Sequence, residues 1–124
     1  MRNNANTKQD KLVITSAART ATHTASFACG QTGGLFVIDV TAVTATPSVV
    51  FTIKGEEPVS GNTWTVLASA AITSTGTTVL RVHPSLTASA NTIAKDMMPQ
   101  SVLITATHAD TDSITYSVRY IGAD

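Results

Sequence analysis

Residues 69–84 read SAAITSTGTTVLRVHP, and the alternation in their second half decides the class of fold. Thr78, Leu80 and Val82 fall on one side of an extended chain, with Val79, Arg81 and His83 on the other. Successive side chains of a strand point to opposite faces, whereas a helix would repeat its apolar positions every three to four residues. Threonine fills most of the gaps. Its β-branched side chain suits a pleated surface, and its hydroxyl tolerates either water or a protein partner.

The same period of two runs through most of the chain. LFVIDVTAV (35–43) sets Phe36, Ile38, Val40 and Ala42 on one face. SVVFTIKG (48–55) groups Val49, Phe51 and Ile53, and TWTVLAS (63–69) groups Trp64, Val66 and Ala68. SVLITATH (101–108) aligns Val102, Ile104 and Ala106, and SITYSVRYI (113–121) aligns Ile114, Tyr116, Val118 and Tyr120. KLVITSAARTATHTASFA (11–28) is a weaker strand candidate. Alternation with β-branched enrichment predicts half-buried strands.

Turn chemistry separates these runs: Thr46-Pro47, the Gly55, Pro58, Gly61 and Asn62 cluster, Gly76, and Asp110 with Asp112. The exception is PSLTASANTIAKDMMPQ (84–100), too long for a tight hairpin; it reads as a crossover with one helical turn. Such a path suits a Greek key or jelly roll. The expected fold is all-β: an antiparallel β-sandwich or jelly-roll-like barrel formed by residues 17–124. An extended N-terminal arm, residues 1–16, precedes it.

At 124 residues the chain is long enough for one core. Charged residues are 13% of it, about half the usual share, and the net charge is zero. So low a charge protects an isolated monomer poorly, so the expectation is a homo-oligomer whose surface neighbouring subunits cover. The charge balance also lacks the basic footprint of a nucleic-acid binder. No apolar run approaches the ~20 residues of a membrane span, and MRNNANTKQDK (1–11) lacks a signal peptide's apolar core. Neither a membrane nor nucleic acid is expected as partner. The single cysteine, Cys29, cannot pair within the chain, and FACGQ places no cation beside it.

Each candidate for chemistry has a plainer reading. His108, Asp110 and Asp112 have the spacing of a metal site, but too few oxygen ligands follow for calcium, and Asp commonly caps turns. Ser85, His83 and Asp39 supply the types of a hydrolytic triad without a nucleophile elbow. Glu56 and Glu57 are neighbours on a strand end, which sends them to opposite sides instead of flanking one bond. CGQTGG (29–34) lacks the Lys-Ser/Thr ending of a phosphate loop. Trp64 and Tyr116 have the shape of stacking platforms, but in a chain with 5% aromatics both are expected in the core. The expectation is no catalytic, cofactor-binding or metal residue, and no enzyme.

Beyond these patterns, residues 36–91 and 102–122 resemble a family of small structural proteins of tailed bacteriophages. The resemblance rests on Asp39–Ala42, Thr46–Ser48, Ile53–Gly55, Thr75–Val82 and His108–Tyr116, within a match spanning residues 17–122. It implies a virion component without catalytic residues, assembled in the host cytoplasm. Of the roles such proteins fill, it points first to a capsid decoration (cement) protein, bound to the major capsid protein as trimers. Head–tail connector, neck and tail roles follow, and then a carbohydrate-binding module on the virion surface.

Overall fold

One nested pairing accounts for eight strands. The computed structural model describes residues 9–124. Within them the strands are β1 (Asp10–Arg19), β2 (His23–Ala28), β3 (Gly33–Val43), β4 (Val49–Glu56), β5 (Thr63–Ala68), β6 (Gly76–Val82), β7 (Ile93–Ala94), β8 (Ser101–His108) and β9 (Ile114–Ala123). β4 pairs with β5, β3 with β6, β2 with β8 and β1 with β9, all antiparallel. The chain thus doubles back on itself as one long hairpin. Alternate pairs fall into opposite sheets, joined by β9 against β3 and β8 against β4. The strand orders β1-β9-β3-β6-β7 and β2-β8-β4-β5 make a sandwich with jelly-roll connectivity. The all-β expectation holds.

The inner faces follow the alternation. Phe36, Ile38 and Val40 of β3 meet Leu80 and Val82 of β6 and Ile114, Tyr116, Val118 and Tyr120 of β9. Across from them lie Val49, Phe51 and Ile53 of β4 and Val102, Ile104 and Ala106 of β8. Both tyrosines are fully buried, and both hydroxyls find partners. Tyr120 donates to the Gly33 carbonyl at 2.8 Å, while Cys29 Sγ stands 3.1 Å from the same oxygen. His108 Nε2 lies 3.0 Å from the Tyr116 hydroxyl. Burial pushes both phenols above their ordinary pKa, and the thiol's hydrogen bond adds to the effect at Tyr120.

Three details differ from the pattern reading. Residues 10–16, read as part of an arm, form most of β1: they pair with the outer edge of β9, and Ile14 is buried. Residues 1–8 of that arm lie outside the described residues. The 84–100 connection holds no helical turn. Asn91 takes a left-handed φ of 64°, and Ile93–Ala94 then runs parallel to β6. The reason is an edge that needs acceptors: Arg81 N donates to Thr92 O and His83 N to Ala94 O. In the opening stretch the strand starts only at Gly76; before it, Ile72 makes an isolated bridge to Val49.

Replacing Tyr120 with Phe should cost about 1–3 kcal/mol, because it strands the buried Gly33 carbonyl and the thiol without adding volume. Urea denaturation of the two proteins measures the difference; equal midpoints would show that the hydroxyl contributes nothing.

Candidate functional site

The residues singled out for hydrolysis divide. His83 and Ser85 do meet, Nδ1 to Oγ at 2.8 Å, and the Ser85 amide donates to the same nitrogen at 3.1 Å. Nδ1 is therefore an acceptor, and Nε2 carries the proton toward the Asp124 carbonyl at 2.8 Å. Asp39 is elsewhere, accepting from the Thr77 hydroxyl at 3.4 Å. The pair closes the turn after β6, with Ser85 exposed and His83 half-buried, and neither lines the groove described below.

His108, Asp110 and Asp112 are likewise not gathered. Asp110 accepts from the Asp112 amide at 3.0 Å, and Asp112 accepts from the amide and hydroxyl of Thr46 at 3.2 and 3.3 Å. Both act as turn caps between the β8–β9 and β3–β4 connections. His108 instead turns inward to Tyr116, whose ring also carries the Arg19 guanidinium at 5.0 Å. Among the described residues no three His, Cys, Asp or Glu side chains converge as metal ligands. The Nδ1 of His108 is buried without a hydrogen-bond partner among those residues. Its pKa is held below the ordinary value by burial first, with Arg19 and His23 adding repulsion and Asp110 opposing them. His23 is lowered as well, by burial and by Arg19.

A concave feature lies at the other end of the sandwich. There β2 and β4 finish while β5 and β8 begin, and these ends of the four-stranded sheet and the 96–100 segment enclose a groove of about 1210 Å³. Its lining is mainly apolar, with Phe27, Trp64, Met97 and Met98 prominent, and Glu56, Glu57 and Asp96 join it. Trp64 departs from the core expectation: it is 50% exposed. Its position at the start of β5, beyond a bulge, sets this exposure. Leu67 stands opposite Ile53 and Trp64 opposite Gly55, so residues three apart in the chain both face inward. Leu67 takes the core position, Val66 and Ala68 are only half-buried, and Trp64 is left at the open mouth. Its indole lies on Gly55, where any Cβ would clash with the ring.

Glu56 and Glu57, expected on opposite sides, both line this groove. Glu56 accepts from the Ser101 hydroxyl at 3.4 Å, and Glu57 accepts from the Val59 and Ser60 amides at 2.8 and 3.1 Å, capping its turn. Asp96 accepts from the Met97 amide at 2.8 Å. Pattern reading missed Asp96 and Met97, which sit in the irregular crossover. The one available signal was a glycine facing a tryptophan across a predicted hairpin. An exposed indole beside carboxylates and methionines can stack on a flat ligand or attract a cation, and it contains no activated nucleophile.

Comparison of this chain with family models, curated proteins and solved structures found no match.

Two outcomes follow from this geometry. Because both histidines titrate below 6.5 in the folded state, the unfolded chain binds more protons as pH falls through that value. Stability should therefore be highest above it and decline on acidification until the folded-state values are passed. Thermal melts between about pH 8 and pH 5 check the sign, and the slope should flatten in a His23→Gln/His108→Gln variant. Separately, Gly55→Ala should push the indole off the backbone, shifting Trp64 emission to the red and raising its quenching by acrylamide. Unchanged spectra would mean that the ring does not rest there.

Proposed function

We propose that this chain is a structural protein of a tailed-phage virion, a decoration protein that attaches to the major capsid protein and stabilises the shell. The observation that supports this most is the outer face of the five-stranded sheet. Register sets Leu12, Arg119, Val37 and Val79 in one row across four strands. The next row holds Asp10, Ile121, Leu35, Arg81 and Ile93. Six of these nine side chains are apolar, and Asp10 and Arg119 neutralise each other at 2.7 Å. Leu12 is exposed and the other five are half-buried, and such a face costs little to desolvate. The low overall charge and the resemblance seen in residues 17–122 agree with it.

The opposite outer face is neutral in another way. Thr24, Thr105 and Thr52 form a row across β2, β8 and β4, with the first two hydroxyls 3.3 Å apart. A subunit with one half-apolar face and one hydroxyl-rich face suits a position between a lattice and water. Weak contacts repeated around a trimer then act together, and they stabilise the assembled shell because they are absent from free capsid subunits. A competing reading, a carbohydrate-binding module, draws on the exposed indole of Trp64.

Particles stripped of the protein provide the test. Wild-type protein should rebind in hundreds of copies, and Val37→Glu/Val79→Glu should bind at least tenfold more weakly while keeping its melting behaviour, a loss of about 1.4 kcal/mol or more. About six or twelve copies would move the protein to the neck. Failure of the wild type to bind any particle, together with retention on a glycan surface, would replace this reading with the carbohydrate one.

A further inference from the structure

The groove at the open end of the sandwich combines an exposed aromatic surface with one sign of charge. Trp64 and Met97, 50% and 64% exposed, present large apolar surface to solvent. Glu56, Glu57 and Asp96 line the same groove, and no lysine or arginine does. Lys95, beside Asp96 in the chain, is held elsewhere: its Nζ donates to the Pro84 carbonyl at 2.9 Å. None of the three carboxylates is in a salt bridge among the described residues. Their hydrogen bonds within those residues use one oxygen apiece, Oε1 of each glutamate and Oδ1 of Asp96.

This arrangement selects among cations. Among the described residues no three His, Cys, Asp or Glu side chains converge as metal ligands, so a single ion has no cage here. The carboxylates are instead spread around a long opening. It crosses the ends of all four strands of the smaller sheet, in the order β2, β8, β4 and β5. Three interstrand spacings make about 14 Å, the length of about four residues of extended chain. A chain whose cationic side chains are spaced along it can meet such charges one by one. Of the basic side chains arginine fits the indole better, because its guanidinium is planar, stacks on an aromatic face and forks onto a carboxylate. A neutral sugar would use the indole but leave the three charges without partners.

We propose that the groove is a docking site for an extended, arginine-bearing segment of a partner protein. One guanidinium stacks on Trp64 with its aliphatic stem against Met97, and its neighbours pair with Glu56, Glu57 and Asp96. Charge complementarity selects this occupant, and the Gly55 backbone beneath the indole fixes where the stacking platform stands. The proposal uses only the groove, so it holds or fails independently of the shell-binding role. Because the charges are at an open rim, the interaction is one that salt screens.

Trp64 is the only tryptophan, so all indole emission comes from the groove. The probe is a blocked hexapeptide of alternating arginine and alanine, added to the full-length protein at low salt. It should shift Trp64 emission saturably, and about 0.5 M sodium chloride should weaken its binding about tenfold. Glu56→Gln/Glu57→Gln/Asp96→Asn should bind it about tenfold more weakly while melting as the wild type does. Trp64→Ala, followed with a fluorescein-labelled peptide, should lose about threefold, and so should wild type offered lysine in place of arginine. Absence of a saturable shift with wild type would overturn the proposal. Equal affinity of wild type and the triple variant would overturn it as well, since the peptide would then be held elsewhere, and equal binding of the lysine peptide would remove the stacked guanidinium. So would maltoheptaose or chitohexaose shifting the emission of wild type and triple variant alike, by giving the groove to a neutral sugar.

Discussion

Two phenol hydroxyls on β9 have to be satisfied inside an otherwise apolar sandwich, and much of the architecture is arranged around them. A tyrosine contributes large apolar area only if its O–H is not left bare in the interior. Tyr120 reaches Gly33 within its own sheet and meets Cys29 just beyond β2, and Tyr116 reaches His108 at the end of β8. Each ring therefore joins the two sheets at one end of the sandwich. The neighbouring aromatics follow the same division: Phe27 and Phe36 pack on Tyr120, and Phe51 meets Tyr116 edge-on. Since β9 lies between β1 and β3, these bonds also fix the centre of the five-stranded sheet.

The two ends have different characters for that reason. At the Tyr116 end, Arg19 folds over the ring and donates to the carbonyls of Thr15, Ala17 and Tyr116, so the guanidinium occupies acceptors along part of the β1 edge. A charge held over an edge strand discourages pairing with foreign strands. At the Tyr120 end the last inward position of β5 falls to Trp64, whose indole stays at the rim of the groove. The polar chemistry of the molecule is thus placed by packing. His108 is drawn to a buried phenol, Asp110 and Asp112 to backbone amides, and the groove carboxylates to the rim of an apolar opening.

The proposed role is association, and the outer faces are compatible with it. The outer faces carry few charges, and register places those of β1, β9, β3 and β6 around apolar rows. Neither face resembles a reaction centre, and the Ser85–His83 pair lacks the enclosure that acid–base work requires. In the proposed role a lattice neighbour would cover a half-apolar sheet at low desolvation cost. The proposed roles of the two surfaces are compatible, because the broad face and the groove lie on different parts of the sandwich.

The strands and their inner faces were legible in the sequence because alternation is a local property: Phe36 to Val40, Val49 to Ile53, Val102 to Ala106 and Ile114 to Tyr120 each state which side is buried. The turn role of Asp110 was legible for the same reason, since its cap involves the amide two residues on, whereas the partner of Asp112, Thr46, lies 66 residues away and is a product of the fold. Pairing is not local. That residues 10–16 belong to β1 depends on the unfilled edge of β9, about a hundred residues later, and their own alternation is interrupted by two register shifts. The extra strand β7 likewise exists because Arg81 and His83 need acceptors, and the irregular stretch around it carries no period that announces this. Trp64 was expected in the core because strict alternation was carried through β5. A single bulge moved the core position from Val66 and Ala68 to Leu67, and the indole, still on the inward side, lies at the strand end where the groove opens. Only the tertiary structure decided that, because a bulge is set by what the partner strand and the opposite sheet leave room for.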